Sequence, residues 1–375
     1  MAGRHSSLAL FLLLALTACS SSNVVEVADA FSLDASSADA RSPEFDGGHD
    51  AGPPPPPRDA GADAPDAGPP APAEMAECLE AGGALHIVHT IDNNDTRDHG
   101  PILTFDVSAE RQIVVSTEDA TLKFWTLDSF QGETGLAQLT YGPEITATSV
   151  ALDFWDELAV AGDSQGVIAG WSPELGMEAI LGGTMPGTAL VALAIDDERG
   201  MLAQADAEGT LVVRPLPGFE GETAQLEGVH AADLAWGNGV LYIATANGVE
   251  ARDLGLNLIA EALTSDAQHH VHAEGDFIVA GGAQVRVFDT SLNIAGDGIR
   301  SFSELKSITL IGDHPVALFG GAPYLAVQMA GGRDIVFNFE SAPPRMPVQV
   351  VADPQGELLF VAFEDGGIEL LSCEN

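Results

Sequence analysis

The stretch LYIATANGVEARD, Leu241 to Asp253, reads as an apolar run ending in small residues, then a polar turn, then an alternating strand. Alternation at period two marks half-buried β-structure, and Asn247-Gly248 supplies the positive φ that a tight hairpin turn needs. Outward from this stretch the same arrangement recurs. Apolar runs start at Ile113 (IVVS), Leu158 (LAVA), Leu202 (LAQA), Leu241 (LYIA), Phe277 (FIVA), Val316 (VALF) and Leu359 (LFVA). Their spacings are 45, 44, 39, 36, 39 and 43 residues, with a mean of 41, the period of one four-stranded propeller blade. No run has helical periodicity. The expected fold is therefore all-β, a seven-bladed β-propeller of four-stranded blades.

Each run is followed by a turn and a further strand. Asp119-Ala120 leads into TLKFW, Gln165-Gly166 into VIAGW, Glu208-Gly209 into TLVVR, and Asp365-Gly366 into GIELL. Gly281-Gly282-Ala283 is repeated 39 residues later as Gly320-Gly321-Ala322. In the first blade His99, Phe105 to Ser108, Ser116, Asp119, Thr121 and the LKFW run ending at Trp125 fall in the order of the WD-repeat propeller family, which this stretch resembles. Thr126 stands where that family has Asp, and later blades keep less: Trp171-Ser172, Phe288-Asp289, Arg214-Pro215 and Leu371-Ser372 occupy the corresponding ends. Quinoprotein-type and lactonase-like propellers share the period.

The N-terminus carries Arg4 and His5, then an apolar run from Leu8 to Leu16, too short for the roughly 20 residues of a membrane-spanning helix. Leu16, Thr17, Ala18 and Cys19 follow and resemble the cleavage box of bacterial lipoproteins. The resemblance implies a signal peptide over residues 1–18, lipidation at Cys19, and attachment to the membrane by that anchor only. Ser20 is similar to the sorting residue of outer-membrane lipoproteins, so the expected location is the bacterial cell envelope, on the outer membrane. Residues 19–77 comprise the lipidated cysteine and a stretch rich in Ala, Asp, Pro and Gly, with Pro53 to Pro57 and Asp-Ala-Gly copies at Asp50, Asp59 and Asp66. That composition predicts a disordered linker that extends by about 3.1 Å per residue where it is Pro-rich.

With Cys19 acylated, Cys78 and Cys373 remain at the two ends of the 78–375 domain, in an oxidising compartment, and are expected to pair. The last blade supplies only three strands, VQVVADP, LLFVAFE and GIELLS; Ala84 to Ile91 (ALHIVHTI) supplies the fourth and closes the ring.

Of 56 acids 12 precede Cys78, and of 14 bases three do, which leaves 44 acids against 11 bases and a net of −33 in the domain. Such a field repels phosphate backbones and excludes nucleic acid as a partner. Chemistry-bearing patterns are few. Gly162, Ser164 and Gly166 spell a nucleophile elbow, but a strand follows where that motif needs a helix. His270 and His272 share a face of the first strand of blade five, the strand that lines a propeller's channel, and are the candidate ligand-binding residues. Asp92, Asn94 and Asp98 are candidate ligands for Ca²⁺, although Arg97 replaces the glycine of a sharp calcium loop. No other cofactor is indicated and no catalytic residue is assigned.

These observations point to a non-enzymatic, monomeric binding or scaffolding propeller whose partner is an envelope or extracellular protein, peptide or glycan. The competing readings are a channel enzyme, lactonase-like or quinoprotein-like, and an envelope-assembly lipoprotein. Charged groups from several blades converging in the channel would favour an enzyme. Replacing Cys19 by Ala is expected to move the protein from the membrane to the soluble fraction on cell fractionation; continued membrane association would contradict the anchor.

Overall fold

The computed structural model describes residues 75–91, 101–108, 112–117, 121–126, 139–140, 149–155, 158–172, 177–180, 188–216, 224–296, 298–300, 303–321, 323–339 and 345–374. The chain divides into two compact units, Met1–Asp66 and Ala67–Asn375, and all described residues belong to the second. Cys19 and the calcium candidates Asp92, Asn94 and Asp98 lie outside the described residues.

The described chain begins with helix α1 (Met75–Glu80) and strand β1 (Ala84–Ile91). Among the described residues, seven four-stranded antiparallel sheets account for all the strands. The first holds β2 (Ile102–Val107), β3 (Gln112–Thr117), β4 (Thr121–Thr126) and β5 (Leu139–Thr140). The second holds β6 (Ser149–Trp155), β7 (Leu158–Asp163), β8 (Ile168–Ser172) and β9 (Met177–Ile180). The third holds β10 (Leu190–Asp196), β11 (Met201–Asp206), β12 (Thr210–Pro215) and β13 (Ala224–Glu227). The fourth holds β14 (Ala231–Gly237), β15 (Val240–Thr245), β16 (Gly248–Arg252) and β17 (Leu258–Leu263). The fifth holds β18 (His270–Glu274), β19 (Phe277–Gly281), β20 (Val285–Asp289) and β21 (Ile294–Gly296). The sixth holds β22 (Leu305–Ile311), β23 (His314–Phe319), β24 (Tyr324–Met329) and β25 (Arg333–Asn338). The last holds β26 (Pro347–Ala352), β27 (Leu359–Phe363) and β28 (Ile368–Glu374), and its fourth strand is β1, paired with β28 from Ala84↔Glu374 to Ile91↔Ile368.

The apolar runs that set the repeat are the second strands, and burial explains their composition. Every residue of β11, β23 and β27 is buried, whereas the outermost strands β17 and β25 alternate between exposed and half-buried and β21 is wholly exposed. A second strand is covered on both faces by neighbouring sheets, so it reads as a continuous apolar run. The first strands pack in succession, β2 on β6, β6 on β10, β10 on β14, β14 on β18, β18 on β22, β22 on β26 and β26 on β2. Core clusters accordingly straddle the sheets; one joins Ile102, Phe105 and Val115 of the first sheet to Phe360, Ala362 and Leu370 of the last.

Packing reaches back across the boundary that composition places at Cys78. Met75 and Leu79 of α1 are buried against Leu85, Ile311, Val350 and Phe363, and Met75 N–H donates to Gly356 O at 3.0 Å. Six residues are too few for helical periodicity to register in a sequence. Gly356 lies in the turn between β26 and β27, and His314, just beyond the turn between β22 and β23, has Nε2 3.4 Å from Glu80 Oε1. The chain thus enters the domain on the face that carries the turns between first and second strands.

Cys78 and Cys373 form a disulfide on that same face, with Cα atoms 6.0 Å apart and a sequence separation of 295 residues. Gly83 is required beside it: a Cβ there would sit 2.5 Å from the Cys78 sulfur and 2.6 Å from that of Cys373. In the chain-entropy account, closing so long a loop is worth on the order of 5 kcal/mol, and strain usually reduces the gain. Replacing Cys78 by Ser should lower the thermal midpoint by several degrees under non-reducing conditions, and reductant should then have no further effect. An unchanged midpoint would show that the bridge contributes nothing.

Candidate functional site

The first strands of all seven sheets line one open cavity of about 430 Å³. Six of the seven share a device at their start. Pairing with the second strand slips by one residue between Ile102 and Thr104, Ser149 and Ala151, Leu190 and Ala192, Ala231 and Asp233, Leu305 and Ser307, and Pro347 and Gln349. At the seventh, His269 N–H donates to Gly281 O while His270 is the residue paired with Gly281. Each slip twists the strand and re-aims the side chains that follow. Alternation then puts Thr104, Asp233, His270, Ser307 and Gln349 at one level of the wall and Asp106, Asp153, His272 and Thr309 at the next.

Most of these polar groups bind sideways, to the adjacent sheet. Asp153 Oδ1 accepts Phe154 N–H at 2.7 Å and Oδ2 accepts Ile195 N–H, on β10, at 2.6 Å. Asp233 repeats the bridge, with Leu234 N–H at 2.9 Å and Val271 N–H, on β18, at 3.0 Å. Gln349 Oε1 receives Thr104 Oγ1–H at 3.0 Å and Phe105 N–H at 3.1 Å, linking the last sheet to the first. Trp236 Nε1–H donates to Ala194 O at 3.1 Å, Ser307 Oγ–H donates to Val350 O at 3.3 Å, and the Asp106 carboxyl bonds to that of Asp153. Six of the seven contacts between first strands are bridged by a polar side chain in this way.

Burial sets the protonation of the wall. It pushes Asp153 and Asp233 up to about 7 against the lowering pull of their backbone donors. Asp106 lies well above the usual carboxylate range, first through burial and then through the neighbouring Asp153 charge. Burial lowers His272 to about 4, and burial with the nearby His269 lowers His270 to about 4. Both imidazoles are therefore neutral at physiological pH, and neither has a hydrogen-bond partner among the described residues. Lys306 Nζ, at the cavity, pairs with Glu304 Oε1 at 3.1 Å. No three His, Cys, Asp or Glu side chains cluster to hold a metal among the described residues.

The candidates His270 and His272 thus lie in the cavity wall on the first strand of the fifth sheet, with His269 exposed beside them. Ser164 lies between β7 and β8 in a hairpin turn that Asp163 holds, its Oδ1 accepting Gln165 and Val167 N–H at 2.8 Å each. Asp106, Asp153 and Asp233 escape sequence reasoning, although each is a lone charge inside an apolar run (LTFDV, ALDFW, AADLAW). A second concavity, of about 310 Å³, lies between the outer strands of the fourth and fifth sheets at Leu263, Arg286 and Ile294.

No protein-family model and no curated protein matches the chain. Among solved structures, a chain of "Crystal Structure of Mitotic Checkpoint Complex" superposes with a TM-score of 0.63 at 14% identity, covering 76% of this chain and 93% of that one. As many as 1729 solved chains match, a breadth that identifies a fold and no activity. The fold is that of a WD-repeat-like propeller.

The pKa directions fix a pH dependence. Asp233 is raised relative to the unfolded chain, so its contribution is fully present below about pH 4 and is lost as pH rises through about 7. The lowered His270 and His272 act oppositely, their contribution being present above about 6.5 and lost as pH falls through about 4. Asp233→Asn loses one inter-sheet acceptor at every pH but also the penalty of a buried charge at high pH. Its deficit in thermal midpoint against the native protein should be larger at pH 5 than at pH 8. A deficit independent of pH would contradict the assigned titration.

Proposed function

We propose that the chain is a seven-bladed propeller, its ring closed by β1 in the last blade, that serves as a non-enzymatic binding module tethered to the bacterial cell envelope through a lipid at Cys19. The observation that carries this reading is the commitment of the channel carboxylates. Charged groups converge in the cavity, as an enzyme would require, but each oxygen of Asp153 and of Asp233 accepts a backbone N–H, one from its own sheet and one from the adjacent sheet. A general base has to be aimed at its substrate proton, whereas each of these carboxylates is held in orientation by bonds to two sheets. These carboxylates hold sheets together.

The ring reading is supported by the unbroken succession of first-strand contacts from β2 round to β26 and back to β2, and by the β1–β28 pairing. The described chain begins at Met75 on the face of the first turns, and the cavity mouth at His269 and Lys306 lies on the opposite face, where a partner would dock. A propeller of similar fold occurs in the mitotic checkpoint complex, in keeping with a protein-binding role. On this reading the domain is monomeric, kept soluble by its net of −33, and its partner is an envelope or extracellular protein, peptide or glycan. Asp92, Asn94 and Asp98 are candidate Ca²⁺ ligands on this reading.

Envelope extract passed over the native full chain and over the double variant His269→Glu/Lys306→Glu, read by mass spectrometry, tests the proposal. A partner retained by the native chain and lost from the variant is expected. A partner set that ignores the variant would overturn the face assignment, and turnover in a screen of lactones and alcohols would overturn the non-enzymatic reading. Repeating the capture with EDTA tests the divalent ion.

A further inference from the structure

The cavity wall can be sorted by what each polar group still has to offer. Each oxygen of Asp153 and Asp233 already accepts a backbone N–H, the Asp106 carboxyl is bonded to Asp153, and the Gln349 carbonyl already receives two donors. The Lys306 ammonium is paired with Glu304. Among the described residues His270 and His272 have no hydrogen-bond partner, and they stand on alternate residues of β18, directed into the cavity from one strand. Each neutral imidazole offers one N–H and one lone pair. Beside them stand the hydroxyls of Ser307 and Thr309 on β22, and the Ser307 oxygen, which donates to Val350, keeps its lone pairs.

Each charged group of this wall is already engaged within the protein, so it can compensate a charged ligand only in part. An anion would meet no unpaired cation here and would face the domain's net of −33. An ammonium would have to share carboxylate oxygens that already accept the backbone N–H groups fastening one sheet to the next, so its desolvation would be only partly compensated. A neutral ligand with several hydroxyls suits what remains, since each hydroxyl can both donate to and accept from an imidazole or a serine. A volume of about 430 Å³ lies in the range of small-molecule sites.

We propose that the cavity is a binding site for a small uncharged polyhydroxylated ligand, of monosaccharide size, held by His270 and His272 on β18 with Ser307 and Thr309 beside them on β22. This deepens the binding reading above and depends on it only for the absence of turnover. The burial that keeps both imidazoles neutral at physiological pH agrees with an uncharged ligand.

The test uses the full chain at neutral pH with glucose, galactose, mannose and N-acetylglucosamine, and with the charged counterparts glucosamine and glucuronate. Saturation-transfer NMR and calorimetry read binding. At least one neutral sugar should bind, and each charged counterpart should bind more weakly by about tenfold, the cost of one unsatisfied polar group. His272→Leu should weaken binding by a similar factor and His272→Gln, which keeps a donor and an acceptor, by less. If His272→Leu fails to give a cooperative melt, His270→Leu decides the matter in its place. Equal or tighter binding of glucosamine or glucuronate would overturn the proposal, as would no sugar binding or binding indifferent to both histidines. Chemical conversion of a bound neutral sugar would leave the ligand class standing and overturn the non-enzymatic reading instead.

Discussion

Hydrogen bonding between strands ends at the margins of each four-stranded sheet, so the domain depends on what fastens one sheet to the next. Apolar packing does most of this, through clusters such as the one that joins Ile102 and Phe105 to Phe360 and Leu370. Packing alone has no direction and would let sheets slide. The side-chain bridges at the first strands fix the register, because Asp153 reaches Ile195 and Asp233 reaches Val271 at one position each. The polar wall is therefore a consequence of assembling the fold, and any ligand site within it is built from the groups that assembly leaves over.

The acid excess takes on a second meaning in this light. Read from composition, it concerns solubility and the exclusion of nucleic acid. In the fold, many aspartates cap backbone donors. Asp163 and Asp206 each accept N–H groups two and four residues ahead in their hairpins, and Asp253 and Asp289 hold matched turns through Asn257 and Asn293. A fold made of short strands has a turn for every strand, and Asp satisfies a turn's exposed donors with one short side chain. Leu256 and Leu292 in the two matched turns adopt φ of 60° with their side chains buried, so burial compensates a backbone conformation that leucine otherwise avoids.

Much of the fold was legible because the second strands are buried on both faces and so leave uninterrupted apolar runs at a fixed period. Their starts at Leu158, Leu202, Leu241, Phe277 and Leu359 coincide with the first residues, or nearly so, of β7, β11, β15, β19 and β27. The Cys78–Cys373 bond was legible for a different reason, since two cysteines at the ends of one domain leave few pairings. The α1 segment was not, because its burial depends on Ile311 and Phe363, far away in sequence. The site was legible in part. His270 and His272 could be placed on a channel strand by counting from the repeat. The carboxylates could not, because a bridge from Asp233 to Val271 joins residues 38 apart through a contact that no local pattern encodes. The D-x-x-L-N turns at Asp253 and Asp289 were visible in principle as a five-residue motif recurring in two successive sheets.

The entry helix and the disulfide share one face, and this has a mechanical consequence. A pull on the chain at Met75 first meets that residue's own contacts, including its N–H donated to Gly356 O, and then Cys78. From Cys78 the force passes through the covalent bridge into Cys373 on β28. Strand β1, which lies beyond Cys78 and would otherwise be peeled from its sheet one hydrogen bond at a time, is bypassed. Tension along the N-terminal segment is thereby borne by a covalent bond and by an interior strand, and the weakest edge of the last sheet is shielded from it.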